Sequence, residues 1–282
     1  EVTFGTAVES TQTQSAATEE ESYENFASKV VVTFSGNETK MAEGETPANF
    51  NQFDLMYAAG QGVHNEGGAY DDVIMTFKHA LSWINFTVAT NVKNAKDKNI
   101  YSMTVNSIRL SGASYGGTLT VDNTANYNVQ PTITSGEYSV NSTVATGTCT
   151  WTSTENDKKD NVYVPGAADE SGSVAIASAV DGLAAYNASA KAFGNGLLVV
   201  PVDYTNVADK SRPTITINYT MNQGNGDYTF ERTIEIPKIN WEPNKKYTYA
   251  LTITLNEIKV DPKVEKWDDT DEKDPENDDD DV

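Results

Sequence analysis

Apolar and polar residues alternate along most of this chain. In YTYALTITL, Tyr247, Tyr249, Leu251, Ile253 and Leu255 alternate with polar or small residues. In TITINYT, Ile215, Ile217 and Tyr219 alternate with Thr and Asn. A period of two places successive side chains on opposite faces of a β-strand. The same signal, with turn residues between, predicts strands at 2–5, SKVVVTFSG (28–36), FDLMYA (53–58), VIMTFKHALSWINFTVAT, IYSMTVNSIRLSG, GTLTV (117–121), 149–152, NVYVP (161–165), GLLVVPV, DYTFERTIEIP and NEIKV. NQGNG, between TITINYTM and DYTFERTIEI, predicts a hairpin loop.

Two of these strands change parity. Phe77, His79, Leu81 and Trp83 share one face, whereas Ile84, Phe86 and Val88 share the other. Met103 and Val105 give way to Ile108 and Leu110, with the change near Ser107. A flip of this kind predicts a bulge, or a strand passing from one packing face to another. One stretch, 171–190 (SGSVAIASAVDGLAAYNASA), predicts a short helix weakened by Gly and Ser. The fold class expected is therefore all-β.

At 282 residues the chain is too long for one β-sandwich, so two are expected. The division is placed near residue 125, giving an N-terminal sandwich over 1–125 and a C-terminal one over 126–267. Residues 268–282 differ from everything before them. They hold ten Asp or Glu and one Lys, and predict a solvated, extended acidic tail. The tail lacks the spacing of a calcium-wrapping loop.

The net charge of −21 excludes a backbone-tracking nucleic-acid binder, and repels anionic lipid surfaces. No apolar run is long enough for a membrane span. The chain opens on EVTFGTAVES without a secretory leader, which fits either a cytosolic protein or the mature form of an exported one. The single cysteine, Cys149, permits no intrachain disulfide and no Cys-based zinc site, and is expected to be a buried thiol.

Candidate chemistry is sparse. Gly112-Ala113-Ser114-Tyr115-Gly116 matches G-x-S-x-G, the nucleophile-elbow pattern. The elbow needs a following helix and a downstream histidine. GTLTVDN follows instead, and His64 and His79 both lie upstream. Ser114 is therefore expected in a Gly-rich turn, and no catalytic residue is assigned. His79 has no second His, Cys or acid at ligand spacing, with Asp71 and Asp72 a strand's length away, and reads as a structural histidine. No metal or cofactor is expected. Tyr23, Tyr57, Tyr115 and Trp151 suit either a sugar-binding surface or the core.

Several segments, in order, resemble one family. FKHALSWINFTV, SIRLSGASYGGTLTV, LLVVPV, INWEPNKKYTYALTITLNEIKV and VEKW are similar to successive strands of the fimbrillin-like (Mfa-like) surface proteins of Bacteroides and relatives. The resemblance covers about residues 1–267. Val202 stands where that family usually has Gln, and Asn244 where it has Gly in W-x-P-G-K-x-Y-x-Y. Asn tolerates the left-handed conformation, so the turn is expected to survive.

The resemblance implies two transthyretin-like β-sandwiches. It implies export as a lipoprotein, display at the outer membrane, and a role as a fimbrial (pilus) subunit or adhesin. The partners implied are other fimbrial subunits, self or homologous, and host or microbial surface ligands. Assembly by strand addition is implied too. A donor strand needs alternating apolar residues, and Ile258, Val260, Val264 and Trp267 supply them. The same segment also reads as the last strand of its own domain. Shaft subunits of the family are cut after an N-terminal arginine, whereas the first arginine here is Arg109. Cleavage at another residue, cleavage before Glu1, and a tip, anchor or non-polymerising role all stay open. The alternative from a different class is a monomeric cell-surface carbohydrate-binding protein.

Overall fold

The structure, a computed structural model, describes residues 2–4, 8–9, 28–36, 52–58, 77–90, 102–122, 132–134, 137–139, 148–165, 173–180, 183–186, 190–222, 226–254 and 257–267. Tyr23, His64 and the acidic tail lie outside these residues. The described chain opens with β1 (Val2–Phe4), β2 (Val8–Glu9) and β3 (Ser28–Phe34). A short pair, β4 (Met56–Tyr57) and β5 (Lys78–His79), precedes the long β6 (Ser82–Thr90) and β7 (Ser102–Ser111). Then come β8 (Ala113–Ser114), β9 (Gly117–Asp122), β10 (Thr132–Thr134), β11 (Glu137–Ser139) and β12 (Thr148–Thr152). β13 (Lys158–Lys159), β14 (Val162–Tyr163), β15 (Val174–Val180) and β16 (Leu183–Tyr186) follow. The last five strands are β17 (Lys191–Val199), β18 (Thr214–Asn222), β19 (Asp227–Glu235), β20 (Lys245–Ile253) and β21 (Ile258–Lys266). Among the described residues the helical content is one 3₁₀ turn, Glu155–Asp157. The protein is all-β.

Two sheets share the main core. One runs β16-β15-β7-β18-β19, with β14 also pairing β7; the other runs β17-β6-β20-β21. The alternation read from sequence supplies this core directly. Ile84, Phe86 and Val88 of β6 meet Tyr247, Tyr249, Leu251 and Ile253 of β20 and Ile215, Ile217, Tyr219 and Met221 of β18, all buried. β6 runs parallel to β20 in register, Ile84 beside Tyr247. A third sheet, β1-β3-β9-β12 with β2 on β3, packs separately. Its Val32, Phe34 and Leu119 close over Ala80, Leu81, Leu198 and Val200.

Both parity flips have a structural cause. Between β5 and β6 the chain bends at Ala80 and Leu81, both fully buried. Ala80 and Leu81 fill the smaller core and Trp83 packs against it, whereas Ile84, Phe86 and Val88 fill the larger one. In β7 the register with β18 slips where Asn218 faces Ser107 and Tyr219 faces Val105, leaving Asn106 as the extra residue of a bulge. The Asn106 Nδ2 amide donates to Asn218 Oδ1 and Thr220 Oγ1, both at 2.8 Å.

One expectation is corrected. The segment 171–190 forms the hairpin β15–β16 rather than a helix. β15 is drawn into the sheet by pairing with β7, which buries Ile176, and this tertiary pairing overrides a weak local preference. Strands on either side of residue 125 share sheets. β6 and β7 precede it yet pair with β20 and β18, and β12 follows it yet pairs with β9. Alternation fixes which residues face a core; it does not say which strands become neighbours.

Candidate functional site: the β21 edge and its anchor

The residues that suited a donor strand sit in the chain's own sheet. β21 pairs antiparallel with β20 from Ile253↔Ile258 to Lys245↔Lys266 without a register break. Thr254 and Glu257 close the connecting turn: Thr254 N–H donates to Glu257 O at 2.9 Å, and Glu257 N–H donates to Thr254 Oγ1 at 2.9 Å. At the other end Trp267 N–H donates to Asn244 O at 3.2 Å. Ile258 and Val260 are half-buried against the main core, whereas Val264 is 51% exposed.

The two end contacts fix the ladder's phase. Antiparallel ladders alternate hydrogen-bonded and non-hydrogen-bonded pairs. Since 254/257 and 244/267 are bonded pairs, Lys259, Asp261, Lys263 and Glu265 bond to β20. Ile258, Val260, Pro262 and Val264 then turn their backbone polar groups outward. Among the described strands β21 ends its sheet, so this outward row is an open edge.

The opposite edge of the same sheet is closed. β17 bulges between Phe193 and Leu197. Gly194 in this bulge has φ +62, and a Cβ there would collide with Pro165 O. Asn195 N–H donates to Pro165 O at 3.0 Å, and Val200 N–H to Ser114 O at 2.9 Å. The Gln52 side chain fills the gap between them. Its Nε2 donates to Gly196 O at 2.9 Å, and its Oε1 accepts from Leu198 N–H at 2.7 Å. One amide side chain thus stands in for a rung of a neighbouring strand.

Trp267 anchors β21 beyond its last pair. Its indole stacks flat on His79, centroids 3.6 Å apart and planes 2° from parallel. Trp83 leans on the same indole at 5.3 Å. His79 is buried, and Asp54 Oδ2 lies 2.6 Å from its Nδ1. A carboxylate only accepts, so the proton belongs on Nδ1. Asn244 joins these pieces. Its N–H donates to Leu81 O at 3.2 Å, its carbonyl takes the Trp267 N–H, and its Oδ1 accepts the His79 N–H at 3.4 Å. Its φ is +59, the left-handed conformation expected of the residue in Gly's place. The Oδ1 contact is something glycine lacks. His79 is thus packed between Trp267 and the Asp54 carboxylate, where the reading from sequence expected a structural histidine.

The remaining motif residues build the core. In INWEPNKKYTY, Trp241 Nε1 donates to Tyr249 OH at 3.0 Å, and Tyr247 OH donates to Asn240 O while accepting Glu242 N–H, both at 2.7 Å. Ser114 is 1% exposed within β8 and is followed by β9, so the strand–turn–helix geometry of a nucleophile elbow is not formed. Cys149 lies half-buried in β12 beside Tyr57. Burial pushes its thiol up to about 11, although the Tyr57 hydroxyl bonded to it acts the other way. Burial, with the adjacent Cys149, raises Tyr57 to about 12. Tyr115 is fully buried, and Trp151 donates its Nε1–H to Ala80 O at 2.7 Å. Trp83, on the outer sheet face, donates to Asn195 O at 3.0 Å and lies under Lys246 Nζ at 4.8 Å. Among the described residues no cluster of three His, Cys, Asp or Glu could hold a metal, and no helix is long and apolar enough to cross a membrane.

Gln52, Asp54 and Asn244 were not singled out as contact residues by sequence. Their partners lie far away along the chain, so no local pattern marks them.

Solved structures similar to this chain include a fimbrial protein from Bacteroides vulgatus, 20% identical with a TM-score of 0.34. That match covers 69% of this chain and 56% of the other, so the chain spans little more than half of that protein. A candidate cell adhesion protein from Bacteroides uniformis is 16% identical with a TM-score of 0.37, over 89% of this chain and 79% of its own. Another, from Bacteroides eggerthii, is 14% identical with a TM-score of 0.41, over 86% and 78%. No curated protein matches the sequence. The sequence profile described as fimbrillin-like matches residues 27–267, which hold β3, both sheets of the main core and the β21 anchor; the chain belongs to the fimbrillin-like family.

Proposed function

We propose that this protein is a non-catalytic structural subunit or adhesin of a bacterial fimbria, and that it assembles by exchange of a β-strand between subunits. In this reading it is exported as a lipoprotein and displayed at the outer membrane. Its partners are other fimbrial subunits, self or homologous, and surface ligands of host or microbe. Its sheets form two transthyretin-like sandwiches, interleaved along the sequence rather than divided at residue 125.

The observation that carries the reading is the state of β21, together with family membership. Among the described strands β21 is held by one ladder, at the end of its sheet. Leaving breaks that ladder, and taking the same place in a neighbour restores it, so exchange costs little at equilibrium. Ile258, Val260, Val264 and Trp267 are the donor residues. The first three lie on the inward face of β21, and Trp267 is the plug at its end.

The test is a denaturing gel of unboiled protein after light trimming with a Lys/Arg-specific protease. A ladder that collapses on boiling is expected. In Lys245→Cys/Lys266→Cys, which joins a non-hydrogen-bonded pair of β20 and β21, the oxidised protein should give one band and the reduced protein the ladder. A single band from the parent protein, or a ladder that survives the lock, overturns the reading.

A further inference from the structure

The edge of β21, open among the described strands, has a charge pattern that complements itself. We propose that this edge is complementary to the same edge of a second copy of the chain, and that Pro262 keeps the two from pairing. The inference concerns the seated strand and stands whether or not strands are exchanged.

Two copies of β21 can pair antiparallel only through residues whose N–H and C=O point outward. Those are the even-numbered positions of Ile258-Lys-Val-Asp-Pro-Lys-Val-Glu-Lys266. With Pro262 opposite its own copy, Val260 faces Val264 and exchanges two hydrogen bonds with it. On the solvent face Lys259 then faces Glu265, and Asp261 faces Lys263. These fall at non-hydrogen-bonded pairs, where side chains approach most closely. Every charge on that face meets its opposite.

The neighbouring registers fail on the same face. A shift of two residues one way sets Lys259 against Lys263 and Asp261 against itself. The other way sets Asp261 against Glu265 and Lys263 against itself. Like charges directly opposite destabilise a sheet. Of these three registers, the one that charge allows has the proline at its centre. There Pro262 offers no N–H, and its ring carbon occupies the place where the partner's carbonyl must come. A proline on an exposed edge is a known means of keeping strands from pairing without limit.

Sedimentation of the full chain tests this. The parent protein is expected not to pair through β21, so that Lys259→Glu leaves its mass unchanged. Pro262→Val, which restores an N–H and fills the same inward position, should double the mass at high concentration. Pro262→Ala should act likewise with no added bulk, which guards against a folding defect in the Val variant. The double variant Lys259→Glu/Pro262→Val sets a second carboxylate against Glu265 and should return the monomer mass. Adding Glu265→Lys to that pair should restore the dimer. A monomer in both Pro262 variants overturns the proposal. So does a dimer indifferent to the charge reversals, or a parent dimer that Lys259→Glu dissociates.

Discussion

The indole of Trp267 lies on the imidazole of His79 with their planes 2° from parallel, although 188 positions separate the two numbers. The stack ties the end of the last strand to a bend where the chain passes from one core to the other. Around it Asp54 holds the imidazole from one side and Asn244 holds the backbone. Whatever frees β21 must first undo this contact.

Trp267→Ala should therefore loosen β21 from its C-terminal end. Stacked aromatic pairs contribute about 1 kcal/mol beyond area burial, and the half-buried indole adds roughly as much again. A loss of about 2 kcal/mol is expected in urea denaturation. Hydrogen exchange should quicken at Asp261, Lys263 and Glu265, whose amides bond to β20, and more at Glu265 than at Lys259. Uniform exchange along the strand would mean the stack does not anchor it.

His79 separates two contributions. His79→Phe keeps a flat ring under Trp267 but gives up the bond to Asp54, at a cost of about 1 kcal/mol. His79→Ala loses the ring as well and should cost about 2–3 kcal/mol. Equal losses in the two variants would assign the whole effect to Asp54.

Gln52 closes the edge of β17, so Gln52→Ala leaves Gly196 O and Leu198 N–H without that partner. The expected cost is about 1–2 kcal/mol, since an unmet backbone group pays a desolvation penalty. Gln52→Glu keeps the acceptor for Leu198 but sets a carboxylate against Gly196 O, and should be no better. Amide exchange at Leu198 reads the change directly.

Arg212 stitches the base of the β18–β19 hairpin. Its Nε donates to Ile236 O at 2.9 Å, its Nη1 to Asp209 Oδ1 at 2.8 Å, and its Nη2 to Glu235 Oε2 at 2.6 Å. A lysine cannot reproduce that fork. Arg212→Lys should cost about 2 kcal/mol in thermal or urea unfolding, and an unchanged midpoint would show the network to be idle.

Alkali should weaken the smaller core. Cys149 is pushed up from 9.0 to about 11, and Tyr57 from 10.0 to about 12, first of all by burial. The folded state keeps protons that the unfolded chain releases, so stability is full below pH 9 and falls as pH rises through 11. The urea midpoint should drop across that window, and less steeply in Cys149→Ala. Iodoacetamide at pH 9 should label the native thiol slowly and the unfolded thiol quickly.

The sequence by itself determined most of the long strands and their inward faces. In the YTYALTITL stretch, period two named Tyr247, Tyr249, Leu251 and Ile253 as core residues, and all four are buried. It also placed the change of apolar face between Trp83 and Ile84, and the one near Ser107 where β7 bulges at Asn106. These are local consequences of pleating, and a short window contains them. What only the tertiary structure decided is which strands are neighbours. Chain length alone placed the division near residue 125, and β6 and β20 lie parallel across it. The 171–190 stretch looked weakly helical until β7 claimed it. Gln52 on β17, and Asp54 and Asn244 around His79, follow from the same pairings. Hydrogen bonds between strands join residues that no window holds together, and their partners are chosen by the packing of the whole chain.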